Sequence, residues 1–311
     1  MPLAVITLEF DPVLRLGDWA VRWETVAIAA AMLAGLALAG LLAGRSHLAS
    51  RDDDPAAGGH LRRDDLLFIA MGIVPGAIVG GRLAYVALHL DYYSSHPALI
   101  LDPTSGGLSL SGAVVLGALS GGLVARLFDT PVGRWYAVAA VPMLATLALA
   151  KIANVLGGTG QGLPSSLDWA TRYLGPGPWG SLGPGIPSYP AQALEGVAVV
   201  LLSVVMALIA TVGGFRAHDG RGFALALGGW AAIRFAIAET WRDPIVVGRF
   251  RAEQLIDLAI AGLATLVIVG LIVRARQVQR AGPEVGGPAV VGPEPDGVSS
   301  MVDTPPPRGL R

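Results

Sequence analysis

Apolar residues fall in long, nearly uninterrupted runs, not in the two-residue alternation of a half-buried strand or the narrow stripe of a surface helix. A helix needs about 20 mostly apolar residues to cross a bilayer's hydrocarbon core. Seven stretches qualify, roughly 21–44, 66–90, 108–128, 136–156, 191–213, 222–240 and 253–274. The pattern predicts an all-α polytopic membrane protein, with seven transmembrane helices forming a domain over 21–280, an N-terminal outer segment over 1–20 and a tail over 281–311. An odd number of spans puts the two termini on opposite sides.

Polar breaks between the runs set the orientation. Arg45, Arg51, Arg62 and Arg63 follow the first run, Arg126 and Arg134 flank the third connection, Arg216 and Arg221 the fifth, and Arg274, Arg276 and Arg280 follow the last. The alternate connections are poorer in arginine, with Arg242, Arg249 and Arg251 as exceptions. Excess basic charge marks cytoplasmic loops, so the N-terminus is expected outside and the C-terminus in the cytoplasm. The connection 157–190 mixes turn residues with Trp169, Tyr173 and Trp179, side chains that favour the headgroup zone, and is expected to form a small outer cap. The Pro, Gly and Val-rich tail has no helical period and is expected to be a disordered cytoplasmic extension. No internal repeat points to an inverted-repeat transporter.

Composition agrees: 53 % of residues are hydrophobic, 14 % are charged and mean hydropathy is +0.60. The formal net charge of -1 gives no sign of nucleic acid as a partner. The chain has no cysteine, so any thiol chemistry must use a sulfur brought by another molecule. Glu9, Asp11, Arg15 and Asp18 interrupt the N-terminal segment, which therefore does not read as a cleaved signal peptide.

Charged residues inside the runs carry the chemistry. Glu24, Arg82, Lys151, Glu195, Arg234 and Glu239 all fall at the expected outer half of the bilayer, where each needs a partner, a cavity or an interface. They either lock helices together in pairs or line one outward-facing cavity, and a cavity with cationic donors to spare attracts an anionic headgroup such as a phosphate. Lys151 is the only lysine in the chain, and its point-charge ammonium suits a phosphate ligand, a general base or a counter-ion. Glycines four apart in "GIVPG", "GAIVG" and "GALSG" predict close helix packing.

Read in order, several segments resemble the prolipoprotein diacylglyceryl transferase family. "FDPVLRLGDWAVRWET" is similar to the family's opening, with Trp23 at the first span, and "GGRLAYVALHLDYY" to its Gly-Arg-x-x-Tyr motif, giving Arg82 and Tyr85. "GGLSLSGA" falls where the family has Gly-Gly-x-Ser-x-His-Gly-Gly. "AKIANVLGGTGQG" falls on its glycine-rich motif and keeps Asn154, Gly158 and Gly162. "YPAQALEG" keeps Pro190, Gln192 and Glu195 of a His-Pro-x-Gln-x-x-Glu motif, and "GGWAAIRFAIAETWRDP" keeps Arg234 and, with one extra residue, Glu239 and Arg242. The resemblance covers about residues 8–275.

It implies transfer of the diacylglyceryl group of phosphatidylglycerol to the lipobox cysteine thiol of a prolipoprotein, with release of glycerol phosphate. The implied partners are phosphatidylglycerol, a signal peptide carrying the lipobox and the lipid bilayer of the bacterial inner membrane; no metal or organic cofactor is implied. Arg82, Lys151, Asn154, Gly162 and Arg234 would bind the lipid, with Arg234, Lys151 and Glu239 catalytic and Tyr85, Ser111, Gln192, Glu195 and Trp230 supporting. The chain departs from the motifs where Ser111 replaces the histidine proposed to assist thiol deprotonation, Lys151 an arginine, Thr159 an acid, Tyr189 a histidine and Trp230 a tyrosine. Serine is no base near neutral pH unaided. His89 and His96, after the second run, are candidates for the missing base. The alternative is an inactive relative that binds anionic lipid or the precursor.

Overall fold

A computed structural model of the protein describes residues 5–49, 63–102, 107–128, 131–183, 185–214 and 219–281. The helices are α1 (Trp23–Ala49), α2 (Arg63–Leu88), the short α3 (Leu90–Ser95), α4 (Leu110–Leu127), α5 (Val132–Ala153), α6 (Ala191–Thr211), α7 (Arg221–Ile237) and α8 (Ala252–Ala281). Among the described residues, 7 are long and apolar enough to cross a membrane, over Trp23–Arg45, Asp65–Leu88, Leu110–Leu127, Val132–Leu156, Ala191–Thr211, Arg221–Thr240 and Ala252–Gln277. These are the expected runs. The fourth begins earlier than its hydropathy indicated because Trp135 turns inward, packing with Ala43, Ile69 and Ala125.

Residues Met1–Ile272 form one compact unit; a second runs from Val273, and its described part is helical. The tail expected from residue 281 lies outside the described residues, apart from Ala281 at a helix end, as do Arg51, Arg62 and Arg216.

Within the first unit α5 is central, packing on α1, α4, α6 and α7. Its Leu144, Leu147 and Ala148 meet Val199 and Met206 of α6, Trp230 and Ala231 of α7 and Ile260 of α8. The glycine spacing does what it implies: a Cβ at Gly76 of α2 would stand 2.6 Å from Ser120 Cβ and 2.8 Å from the Leu116 carbonyl oxygen of α4, and one at Gly121 2.7 Å from Ile73. Backbones this close gain dispersion contacts that lipid tails do not supply.

The cap at one end of the bundle is more composite than the sequence indicated. β1 (Ile6–Glu9) pairs in parallel with β4 (Thr171–Leu174), with Ile6 opposite Thr171, so the N-terminal segment and the 157–190 connection form one sheet. β2 (Val13–Leu16) and β3 (Trp19–Arg22) form a hairpin whose turn uses Gly17 at φ 62. A second hairpin, β5 (Ile245–Val247) and β6 (Phe250–Arg251), precedes α8 and was not anticipated. Of the connection's aromatics, Trp169 is exposed, but Tyr173 is fully buried and Trp179 packs on it and on Phe10, each at 4.9 Å between ring centroids. Those two rings therefore build the cap's interior rather than a headgroup belt.

Candidate active site

Helix ends at the cap side bring charges together in the sense their dipoles favour. Lys151 lies in the last turn of α5 and Arg234 in the last turn of α7, where partial negative charge accumulates. Glu253 lies in the first turn of α8, where carboxylates are favoured, and Glu195 follows the start of α6 closely. The ammonium of Lys151 is 2.8 Å from Glu195 Oε2, and Arg234 Nη1 donates to Glu195 Oε1 at 3.1 Å. Arg234 then spends its other nitrogens on α8, donating through Nη2 to Glu253 Oε2 at 3.2 Å and through Nε to Asp257 Oδ1 at 3.3 Å. Such fork geometry suits guanidinium and carboxylate, and buried charges persist only when so satisfied.

α4 closes the cluster. Ser109 caps the helix, accepting from the Gly112 amide, and donates to Glu253 Oε1 at 2.9 Å. The Ser111 hydroxyl, fully buried, stands 2.9 Å from Asp257 Oδ1 and 3.1 Å from Glu253 Oε2. Trp241 covers both cations, its ring centroid 4.6 Å from the Arg234 guanidinium carbon and 5.5 Å from Lys151 Nζ, while Trp230 backs Arg234 at 5.2 Å. The Lys151 and Glu253 side chains are 14 % and 15 % exposed, against 3 % for Arg234 and 0 % for Asp257, so they form the open rim.

A second polar group lies between α1, the end of α5 and the cap. Glu24 Oε2 pairs with Arg22 at 3.0 Å and accepts from Thr159 Oγ1 at 3.0 Å; Asn154, with its amide nitrogen turned inward, donates to Glu24 Oε1 at 3.2 Å. The position where the motif has an acid is thus touched by a carboxylate from α1. Gly158 and Gly160, at φ 73 and 77, give the loop a left-handed path that other residues adopt only with strain. Gln192 donates to the Tyr173 hydroxyl at 3.0 Å, and burial pushes that phenol up to about 12, so it keeps its proton.

Of the two arrangements expected for the intramembrane charges, pairing between helices is the one seen for Lys151, Glu195 and Arg234, and the charges divide into separate groups and do not line one shared cavity. Lys151, Glu195 and Arg234 meet in the first group with Ser111 and Trp230, and Glu24 meets Asn154 in the second. Arg82 stands apart, donating to the carbonyls of Leu99 at 2.6 Å, Ile100 at 2.8 Å and Gly107 at 3.2 Å, and so fastens the segment after α3 to α2. Tyr85 lies against Gly107 and stacks on His89 at 4.2 Å. His89 and His96 are exposed and bond the Tyr85 and Tyr92 carbonyls. Glu239 accepts from Gln254 Nε2 at 3.1 Å. The Gly162 amide donates to the Tyr189 carbonyl at 2.8 Å, and a Cβ there would strike the Thr240 carbonyl, so its smallness lets the cap reach the end of α7's turn.

Sequence reasoning missed Glu253, Asp257, Ser109 and Trp241. The signal was present: Glu253 and Asp257, one helical turn apart, open an otherwise apolar run. Among the described residues no group of His, Cys, Asp and Glu is arranged to hold a metal ion.

Comparison with known proteins adds a family. Residues 12–270 match the sequence model described as "Prolipoprotein diacylglyceryl transferase". Proteins named phosphatidylglycerol–prolipoprotein diacylglyceryl transferase are similar over most of their length. That of Beijerinckia indica is 33 % identical over 223 residues, 70 % of this chain and 76 % of the relative. That of Geobacter sulfurreducens is 29 % identical over 272 residues, 84 % of this chain and 96 % of the relative. That of Azoarcus sp. is 33 % identical over 276 residues, 83 % and 94 % of the two chains.

Proposed function

This chain belongs to the prolipoprotein diacylglyceryl transferase family, and from that premise we propose that it moves the diacylglyceryl group of phosphatidylglycerol to a cysteine thiol of a prolipoprotein, releasing glycerol phosphate. The observation that carries the reading is the family match across the bundle together with a cluster inside the matched region in which Lys151 and Arg234 are held by Glu195, Glu253 and Asp257. The chain supplies no cysteine thiol of its own, consistent with a thiol that arrives on the substrate.

The lipid enters laterally between helices, which no soluble fold permits. Its phosphate reaches the rim, where the ammonium of Lys151 carries three donors and spends one on Glu195. Attack by sulfur on the glycerol carbon breaks that carbon's bond to the phosphate oxygen, and negative charge grows on the leaving phosphate. Fixed cations held by Glu195 meet that charge without reorganising, the condition under which electrostatic stabilisation is largest. Asn154 and Glu24 lie beside the end of α5 and position the approach from the cap side.

The acceptor is a signal peptide bearing a lipobox, and the membrane is the bacterial inner membrane, N-terminus outside. In support, Arg45, Arg126, Arg134 and Arg221 lie at the span ends opposite those that carry Lys151, Glu195 and Arg234. Purified protein in phosphatidylglycerol micelles, given a lipobox peptide, should release glycerol phosphate in proportion to peptide thiol. Release without thiol, or none beside a working relative, overturns the reading.

A further inference from the structure

The charges of the cluster do not balance. Glu195, Glu253 and Asp257 oppose Lys151 and Arg234, so among the described residues the anions outnumber the cations by one in a buried site. An uncompensated buried charge is costly, and taking up a proton is the cheapest remedy. The hydrogen bonds point to two of these carboxyls. A serine hydroxyl has one hydrogen, yet Ser111 Oγ faces carboxylate oxygens of both Asp257, at 2.9 Å, and Glu253, at 3.1 Å. With a proton on one of the two carboxyls, both contacts become full hydrogen bonds, the hydroxyl donating to one carboxylate and accepting from the other carboxyl. Asp257 Oδ2 is also buried with no hydrogen-bond partner among the described residues, the atom at which a full negative charge is hardest to hold.

We propose that Glu253 and Asp257, bridged by the Ser111 hydroxyl, are the acid–base unit of this site, sharing one proton at rest and taking up the acceptor thiol's proton during transfer. The proposal rests on the transferase reading and deepens it. Glu253 is the member at the rim, where a thiol arrives; Asp257 lies behind it as the positioning residue. The facing groups are Lys151 from α5, Glu195 from α6, Arg234 from α7 and Ser109 and Ser111 from the start of α4.

The step balances. The sulfur–hydrogen bond breaks and its proton passes to Glu253; sulfur's electron pair forms the bond to the glycerol carbon. The carbon–oxygen bond breaks with its pair on the phosphate oxygen. The phosphate gains one negative charge as the cluster loses one, so the site's charge follows the transition state. Product departure returns the proton to water.

Glu253→Gln and Asp257→Asn test this with two acceptors, a lipobox cysteine peptide and its selenocysteine analogue, whose more acidic selenol is ionised near neutral pH and needs no base. With cysteine, transfer by Glu253→Gln should fall by about 10²–10⁴-fold, the range for loss of a general base. With selenocysteine the loss should shrink to under about tenfold. Equal losses with both acceptors, or none, overturn the proposal while leaving the transferase reading intact. Failure of the unsubstituted protein with both acceptors overturns that reading instead. Infrared spectroscopy of the resting protein is independent of activity: a protonated-carboxyl band should be present and removed by either substitution. Its absence, or its survival in both variants, overturns the shared proton.

Discussion

Lys151 and Glu195 meet at 2.8 Å, and the other oxygen of the same carboxylate belongs to Arg234 at 3.1 Å. One buried glutamate therefore sets the positions of both cations, and substitutions in this trio should behave as a unit. Lys151→Ala should lower transfer by about 10²–10³-fold, the usual loss when one transition-state donor is removed. Lys151→Arg, which keeps the charge on a longer, planar group, should stay within about tenfold of the parent. Steady-state rates with phosphatidylglycerol as donor check both.

Glu195→Leu leaves Lys151 and Arg234 without their shared partner and should destabilise the protein by about 3–5 kcal/mol, the cost of breaking a buried ion pair. Combining it with Lys151→Met should cost less than the sum of the two, with a coupling of about 0.5–3 kcal/mol. Unfolding in detergent, followed by helix signal, measures the cycle.

Thr159, at the position where the motif has an acid, donates to Glu24 of α1. Thr159→Val removes a bond to a charged acceptor and should cost about 1.5–3 kcal/mol. If the loop Gly157–Gly160 positions the lipid, KM for phosphatidylglycerol should rise while the rate at saturation changes less.

Tyr173 is buried in the cap with its phenol pushed up to about 12. In the unfolded chain it would ionise near pH 10. The unfolded state thus loses its proton first, and stability should be unaffected below pH 10 and fall as pH rises from about 10 towards 12. Comparison of pH-dependent unfolding with Tyr173→Phe, which lacks the group, should show the parent losing more stability in that window.

At the α2 and α4 contact, Gly80 lies against Gly112 with no room for a side chain. Gly80→Val should force the helices apart and cost about 1–3 kcal/mol, as overpacking does. The lower melting temperature should come with weaker transfer, because α4 carries Ser109 and Ser111.

The spans were legible because the bilayer fixes a minimum apolar length, a constraint each segment satisfies alone. Lys151, Glu195 and Arg234 were legible for the complementary reason, being charges where lipid would otherwise lie. Their pairing was not, since it depends on which helix ends α5, α6, α7 and α8 bring together. Glu253 and Asp257 were overlooked at a span's edge, where charges usually read as solvated. The parallel pairing of Ile6–Glu9 with Thr171–Leu174 joins short segments far apart in sequence, which no local pattern announces. The backbone carbonyls that hold Arg82 leave no mark in side-chain sequence.

Mass spectrometry of a synthetic lipobox peptide, after incubation with purified protein and phosphatidylglycerol of defined acyl chains, tests the central claim most directly. The cysteine should gain one diacylglyceryl group in thioether linkage, and an Arg234→Ala control should abolish the gain. An unmodified cysteine in the unsubstituted reaction, alongside a relative that modifies the same peptide, would contradict the account.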